Sequence, residues 1–203
     1  MIRVAYYGKG GIGKSTIAAN VTAYLGKKGK KVLHIGCDPK ADSTRSLALE
    51  PVQPILDKLK TGRDLDNILS KGKFGSYLVE CGGPHAGVGC AGLGISTAFE
   101  ILDDLGVFDM NWDVIVYDVL GDVVCGGFAV PLKESYVDQV NIVSSSDYMS
   151  LYAANNIIKA IEYYRSEENP LFSRLILNRI NSKLDTDIVE KFSNKTQYLE
   201  VYN

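Results

Sequence analysis

Gly8-Lys9-Gly10-Gly11-Ile12-Gly13-Lys14-Ser15-Thr16 decides the fold of this 203-residue chain. The stretch fits G-x-x-x-x-G-K-[ST], with Gly8, Gly13, Lys14 and Ser15 on the fixed positions. Upstream, Ile2-Arg3-Val4-Ala5-Tyr6-Tyr7 reads as a buried strand. Downstream, Thr16 to Lys28 reads as a helix, with Ile17, Val21 and Leu25 spaced four apart on one face. A strand, a glycine turn and a helix N-terminus aim unpaired backbone N–H groups at a polyphosphate, and the helix dipole favours its charge. Lys14 is expected to reach the terminal phosphates and the Ser15 hydroxyl to bind Mg²⁺. A chance glycine turn would not carry both flanking elements, so the loop is read as a nucleotide site.

Further along, Lys31 to Gly36 reads as a second buried strand ending in Cys37-Asp38-Pro39-Lys40-Ala41-Asp42-Ser43-Thr44. Its carboxylates lie where α/β sheets place ligands, so Asp38 and Asp42 either serve a Mg²⁺-bound or attacking water or simply build a turn. Residues 45–75 are weakly patterned: a short helix within Asp64 to Ser70, then a loop from Lys71 to Gly75. Tyr77 to Glu80 reads as a short strand entering the glycine-rich segment 81–94, with a helix expected from Ile95 to Leu105. Trp112 to Asp118 is an apolar strand ending in a carboxylate, the expected second nucleotide element, which would hold the Mg²⁺ shell. A strand over Val140–Val143, a helix over Ser150–Arg165, a strand over Arg174–Leu177, a helix over Asp185–Phe192 and an incipient strand at Tyr198–Val201 follow. This alternation argues for one α/β domain over 1–203 with the P-loop NTPase fold, a mostly parallel sheet covered by helices on both faces.

Composition bounds the function. A net charge of −2 and the lack of a basic stripe give no case for nucleic acid. No apolar run approaches the ~20 residues that span a membrane. The N-terminus enters a strand directly, with no signal peptide, which points to the cytoplasm. There the four cysteines at 37, 81, 90 and 125 are expected to be ligands or thiols rather than disulfides. His34 and His85 lack metal-ligand spacing and read as structural or surface residues.

The second lysine, Lys9, gives G-K-G-G-x-G-K-[ST], which resembles the loop of a subclass of dimeric ATPases. That resemblance implies ATP held between two subunits, with Lys9 reaching the partner's nucleotide. Two longer segments go further. Gly87-Val88-Gly89-Cys90-Ala91-Gly92, and Asp118-Val119-Leu120-Gly121-Asp122-Val123-Val124-Cys125-Gly126-Gly127-Phe128-Ala129, resemble the cysteine segments of the nitrogenase iron protein family. Gly8 to Thr16 and Cys37 to Thr44 are similar to its phosphate loop and first switch, and the likeness runs to about residue 180.

The resemblance implies a homodimer with one subunit-bridging [4Fe–4S] cluster, ligated by Cys90 and Cys125 of each copy. It implies that Gly8, Gly10, Gly11, Ile12, Gly13, Lys14, Ser15 and Thr16 bind Mg·ATP. Lys9, Asp38 and Asp122 would act in hydrolysis, Lys40 in the first switch and Asp118 in the second. Asn178 matches the position that reads adenine. The function implied is ATP-dependent one-electron transfer from a ferredoxin or flavodoxin to a two-subunit nitrogenase or nitrogenase-like partner. The readings set against it are a non-catalytic Fe–S scaffold or carrier and a cluster-free positioning ATPase. Leu93 stands where the family usually has an arginine, Cys81 where a small hydroxyl residue is common, and the chain ends before the family's C-terminal segment.

Overall fold

The computed structural model describes residues 1–83, 90–121, 126–133, 136–196 and 200–202. Its strands are β1 (Ile2–Tyr7), β2 (Val32–Cys37), β3 (Ser70–Lys71), β4 (Tyr77–Glu80), β5 (Val114–Val119), β6 (Gln139–Ser144), β7 (Phe172–Leu177) and β8 (Glu200–Tyr202). They form one sheet in the order β3-β4-β2-β5-β1-β6-β7-β8. Only β3 is antiparallel, on the edge beside β4. Its helices are α1 (Lys14–Lys27), α2 (Ile55–Lys58), α3 (Leu65–Ile68), α4 (Ala91–Asp104), α5 (Tyr148–Tyr164) and α6 (Lys183–Ser193).

Every residue of β2 and β5 is buried, as expected of parallel strands covered on both faces. The alternation of side chains divides the core. Val4, Tyr6, Val114 and Val116 pack toward Ile17, Val21 and Leu25 of α1. Ala5, Tyr7, Ile115 and Tyr117 face the larger core of α4 and α5, with Phe99, Leu102, Ile157 and Ile161. The α/β reading with helices on both faces therefore holds.

Most element boundaries shift from expectation by one or two residues, and three of the differences have a visible physical setting. α4 begins at Ala91 instead of Ile95, so Gly92 and Gly94 form a first turn narrow enough to meet other backbone. α5 begins at Tyr148, because the Asp147 carboxylate accepts the Ser150 N–H at 3.0 Å and caps the helix. Lys71 lies in the edge strand, Ser70 and Lys71 pairing with Leu78 and Tyr77, and only Lys73–Gly75 turns. The buried Lys58 ammonium helps fix that edge, donating to the Ile68 carbonyl at 2.9 Å and Ser70 Oγ at 2.8 Å. Burial pulls its pKa down.

Phe99 is the hinge of the larger core, 1% exposed and in ring contact with Phe108, Tyr117 and Tyr136. Phe99→Ala should cost about 3–5 kcal/mol of unfolding free energy, read from urea transitions. A loss under about 1 kcal/mol would mean the core collapses around the gap.

Candidate functional site

The phosphate loop joins β1 to α1 at the carboxyl end of the sheet, where β1 lies between β5 and β6. Gly13 holds φ 102°, a left-handed conformation that glycine adopts without strain. A Cβ there would also overlap the Asn178 side chain. The Asn178 amide instead donates to the Ile12 carbonyl at 2.7 Å, and the Arg179 guanidinium donates to the Gly11 carbonyl. Loop, Asp38, Lys40, Asp42, Gly121 and Arg179 border one cavity of about 370 Å³. Ser15 and Thr16 are exposed toward solvent, whereas Lys14 is buried.

Lys14 forms a buried ion pair with Asp118, at the end of β5, and also donates to Ser15 Oγ at 3.2 Å. The other Asp118 oxygen accepts from Ser43 Oγ at 2.5 Å. Ser43 Oγ lies 2.9 Å from His34 Nε2, and His34 Nδ1 lies 2.9 Å from Thr22 Oγ1. Since Ser43 donates to the carboxylate, it accepts from Nε2–H, and Nδ1 accepts from Thr22. This tautomer follows from the network. Burial lowers the His34 pKa to about 4, so the ring is neutral near pH 7. Burial is the largest single influence on the Asp118 carboxyl and raises it, but the Lys14 ammonium, His34 and the Ser43 hydroxyl together outweigh it, and the net shift is downward.

Glu80 ends β4, fully buried, with Oε1 accepting the Thr44 N–H at 2.6 Å. Its Oε2 has no hydrogen-bond partner among the described residues and occupies the place a Cβ on Gly36 would need. Burial drives its pKa up to about 7; the Thr44 donors pull it down, and Asp118 and Asp42 push it up.

Asp38 accepts the Lys40 N–H at 2.8 Å and also borders the cavity, so the turn reading and the site reading describe the same residue. Lys9 Nζ lies 3.2 Å from Asp147 Oδ1 on the surface. The Asp147 pKa is pulled far down by hydrogen bonds from Ser145 and Ser150, with Lys9 adding to them.

Cys90 is exposed at the N-cap of α4. Cys125 and Asp122 lie outside the described residues. Their flank is described: a Cβ on Gly127 would overlap the Gly92 backbone, so the residue two past Cys125 touches the residue two past Cys90. The Tyr7 hydroxyl, from the strand that ends at the phosphate loop, donates to the Phe128 carbonyl at 2.9 Å. Cys37 and Cys81 are both buried, their sulfurs 3.9 Å apart.

Tyr7, Glu80, Asp147 and Arg179 were not readable as site residues from the sequence, because their partners are distant along the chain. For Asp147 the sequence carries a helix N-cap signal in Ser146-Asp147, but nothing that announces its contact with Lys9. Among the described residues, no helix is long and apolar enough to cross a membrane.

Fold and loop together define a protein of the P-loop NTPase class. The MinD cell division protein of Aquifex aeolicus shares the fold, with a TM-score of 0.69 at 23% identity over 99% of this chain and 80% of that one. Residues 2–201 match the family described as 4Fe-4S iron sulfur cluster binding proteins, NifH/frxC family, and the chain belongs to it. Nitrogenase iron protein 2 of Methanothermobacter thermautotrophicus is 49% identical over 197 residues, spanning 96% of this chain and 72% of that protein. The nitrogenase iron protein of Methanococcus voltae is 47% identical over 200 residues, 95% of this chain and 71% of that protein.

Glu80 and His34 oppose each other in pH. A carboxyl raised in the folded state adds stability below its ordinary pKa, and that stability fades as pH climbs to about 7. An imidazole depressed to about 4 adds stability above its ordinary pKa, lost as pH falls toward 4. Glu80→Gln removes one side of the balance. Relative to the parent chain, the variant should gain stability steadily from about pH 4.5 to 7, by roughly 1–3 kcal/mol. Urea midpoints across that range test this, and a pH-independent difference would refute it.

Proposed function

We propose that this chain is the ATP-dependent electron-donating component of a nitrogenase or nitrogenase-like reductase system. The observation that carries the reading is the backbone contact between Gly92 and Gly127, which sets the flanks of Cys90 and Cys125 side by side. The donor chemistry fits a [4Fe–4S] cluster: an exposed thiol on a helix N-terminus, and a second cysteine segment seated against it. Two cysteines per subunit become four thiolates across a twofold axis, so a homodimer is part of the proposal. Such a cluster, when bound, supplies one-electron redox chemistry at low potential.

The chain's own residues would do the rest. Backbone N–H groups of Gly10 to Thr16 would cradle the phosphates, and Ser15 Oγ would take Mg²⁺ with Asp118 in its outer shell. Lys14 would turn from Asp118 toward the phosphates, and Asp38 and Asp122 would orient the attacking water. Lys40 would follow the first switch and Asn178 would flank the nucleotide. Among the described residues Lys9 is held by one exposed pair, with Asp147, worth about 0–1 kcal/mol, so little holds it back from a partner's nucleotide. The donor would be a ferredoxin or flavodoxin, the acceptor a two-subunit catalytic protein, and the setting the cytoplasm. Single-domain organisation over 1–203 and loss of the family's docking arginine at Leu93, 63% exposed, belong to the same proposal. A scaffold or carrier role is the second reading, since it needs the same cysteines but no coupling to nucleotide.

The two lysines should separate. Lys9→Ala should leave urea stability within about 0.5 kcal/mol and keep nucleotide binding, but lose hydrolysis. Lys14→Ala strands the buried Asp118 and should cost about 3–5 kcal/mol as well as nucleotide affinity. Equal loss of binding in both would refute the cross-subunit role of Lys9.

Anaerobic reconstitution should load roughly two iron atoms per chain, lost in Cys90→Ser or Cys125→Ser and kept in Cys37→Ser. Mg·ATP should change the rate of iron chelation about 5- to 150-fold relative to Mg·ADP. Nucleotide-independent chelation would favour the scaffold.

A further inference from the structure

Cys37 and Cys81 share an environment that sets them apart from the other cysteines. Cys37 closes β2, and Cys81 follows β4 one step past the paired positions Gly36 and Glu80. The Cys81 N–H continues the ladder, bonding the Gly36 carbonyl at 2.8 Å. Neighbouring strands lie about 4.7–4.9 Å apart, inside the Cα window of about 4.4–6.8 Å that a disulfide needs. The sulfurs are 3.9 Å apart and both side chains are 0% exposed. Rotation about the two Cα–Cβ bonds has to bring them to about 2.05 Å.

From the register and contact of these two thiols we propose that Cys37 and Cys81 are a reversible disulfide site that locks the nucleotide loop. The covalent step stands on the thiols alone, and its effect on nucleotide rests on the function proposed above. The oxidant is a low-molecular-weight disulfide. One protein thiolate attacks it, breaking the reagent's S–S bond and expelling one thiolate, which takes up a proton. The second cysteine gives up its proton and attacks the mixed disulfide at the protein sulfur, expelling the second reagent thiolate. Two protein thiols thus lose two electrons and two protons, and one reagent disulfide becomes two thiols.

The bond would act where the site moves. Asp38 follows Cys37 directly, and the Cys37 carbonyl accepts the Leu120 N–H at 3.2 Å, so Cys37 touches both segments that border the phosphates. On the other side, a Cβ on Gly83 would come 2.8 Å from Pro39 Cβ, so the chain after Cys81 already rests on the 38–42 turn. A covalent tie would fix that packing in one arrangement. Burial, then the Cys81 thiol alongside, push the Cys37 pKa well up, and with both thiols buried no reagent reaches them while they stay covered. Oxidation therefore requires the turn to lift, and a nucleotide that holds the turn down should slow it.

The test uses the reconstituted dimer under anaerobic conditions with glutathione disulfide as probe. After alkylation in denaturant, the expected product has lost about 2 Da and gives a single cystine peptide joining Cys37 and Cys81. It should bind Mg·ATP at least about 5-fold more weakly, with full recovery on reduction, and bound Mg·ATP should slow its formation by a similar factor. Cys81→Ser and Cys81→Ala should form no such bond and keep their affinity in the oxidant. Both thiols alkylated, or a glutathione adduct that never closes, overturns the site. A bond that forms without altering nucleotide affinity overturns the lock. Failure of the unoxidised dimer to bind Mg·ATP would sink the nucleotide reading instead, with the cystine peptide still deciding whether the site exists.

Discussion

The structure depends on one buried ion pair, Lys14 with Asp118, at the centre of the sheet. Two charges taken out of water cost several kcal/mol each unless geometry and hydrogen bonds are complete. Completion requires three separate pieces: the phosphate loop for the ammonium, β5 for the carboxylate, and the turn after β2 for the Ser43 hydroxyl. None of them can be displaced without leaving a charge exposed to low dielectric. A phosphate that recruits Lys14 must therefore leave Asp118 another cation, and a Mg²⁺ shell is the chemically fitting one. Under the function proposed above, nucleotide and metal would therefore arrive together.

Behind this pair lies a polar seam unusual for a sheet interior. His34, Ser43 and Thr22 extend it to the C-terminal half of α1, while Glu80, on the neighbouring strand, holds the Thr44 N–H. The seam keeps the 38–44 turn registered to the sheet by directional bonds. Apolar packing there would allow sliding, since dispersion carries little orientation. Position of the turn, and hence of Asp38, is thus set by bonds a few ångströms below the surface.

The sheet was largely legible in the sequence because central parallel strands read as apolar runs, and Val114 to Val119 is such a run. The phosphate loop was legible because its glycines and lysine are local. What escaped depended on distance along the chain. Glu80 looks like an ordinary strand end until Thr44, 36 residues away, is placed on it. Asp147 looks like a loop residue until Lys9, 138 residues away, meets it. The antiparallel edge strand escaped for a different reason, being two residues long and positioned by the buried Lys58 ammonium. The cysteines were partly legible: glycine framing marked Cys90 and Cys125, but the closeness of Cys37 and Cys81 is a property of strand register.

The Tyr7 hydroxyl carries a consequence for anyone who would move this chemistry elsewhere. It bridges 121 residues, from the last residue before the phosphate loop to the carbonyl just past Gly127. Phosphate-loop scaffolds are numerous, and grafting the two glycine-framed cysteine segments onto one invites itself as an engineering route. A scaffold with phenylalanine at the equivalent of position 7 would leave that carbonyl buried and unbonded, at about 1–3 kcal/mol. The transplanted segment would then be free to settle in a different arrangement. The portable unit includes a phenol from the opposite end of the sequence.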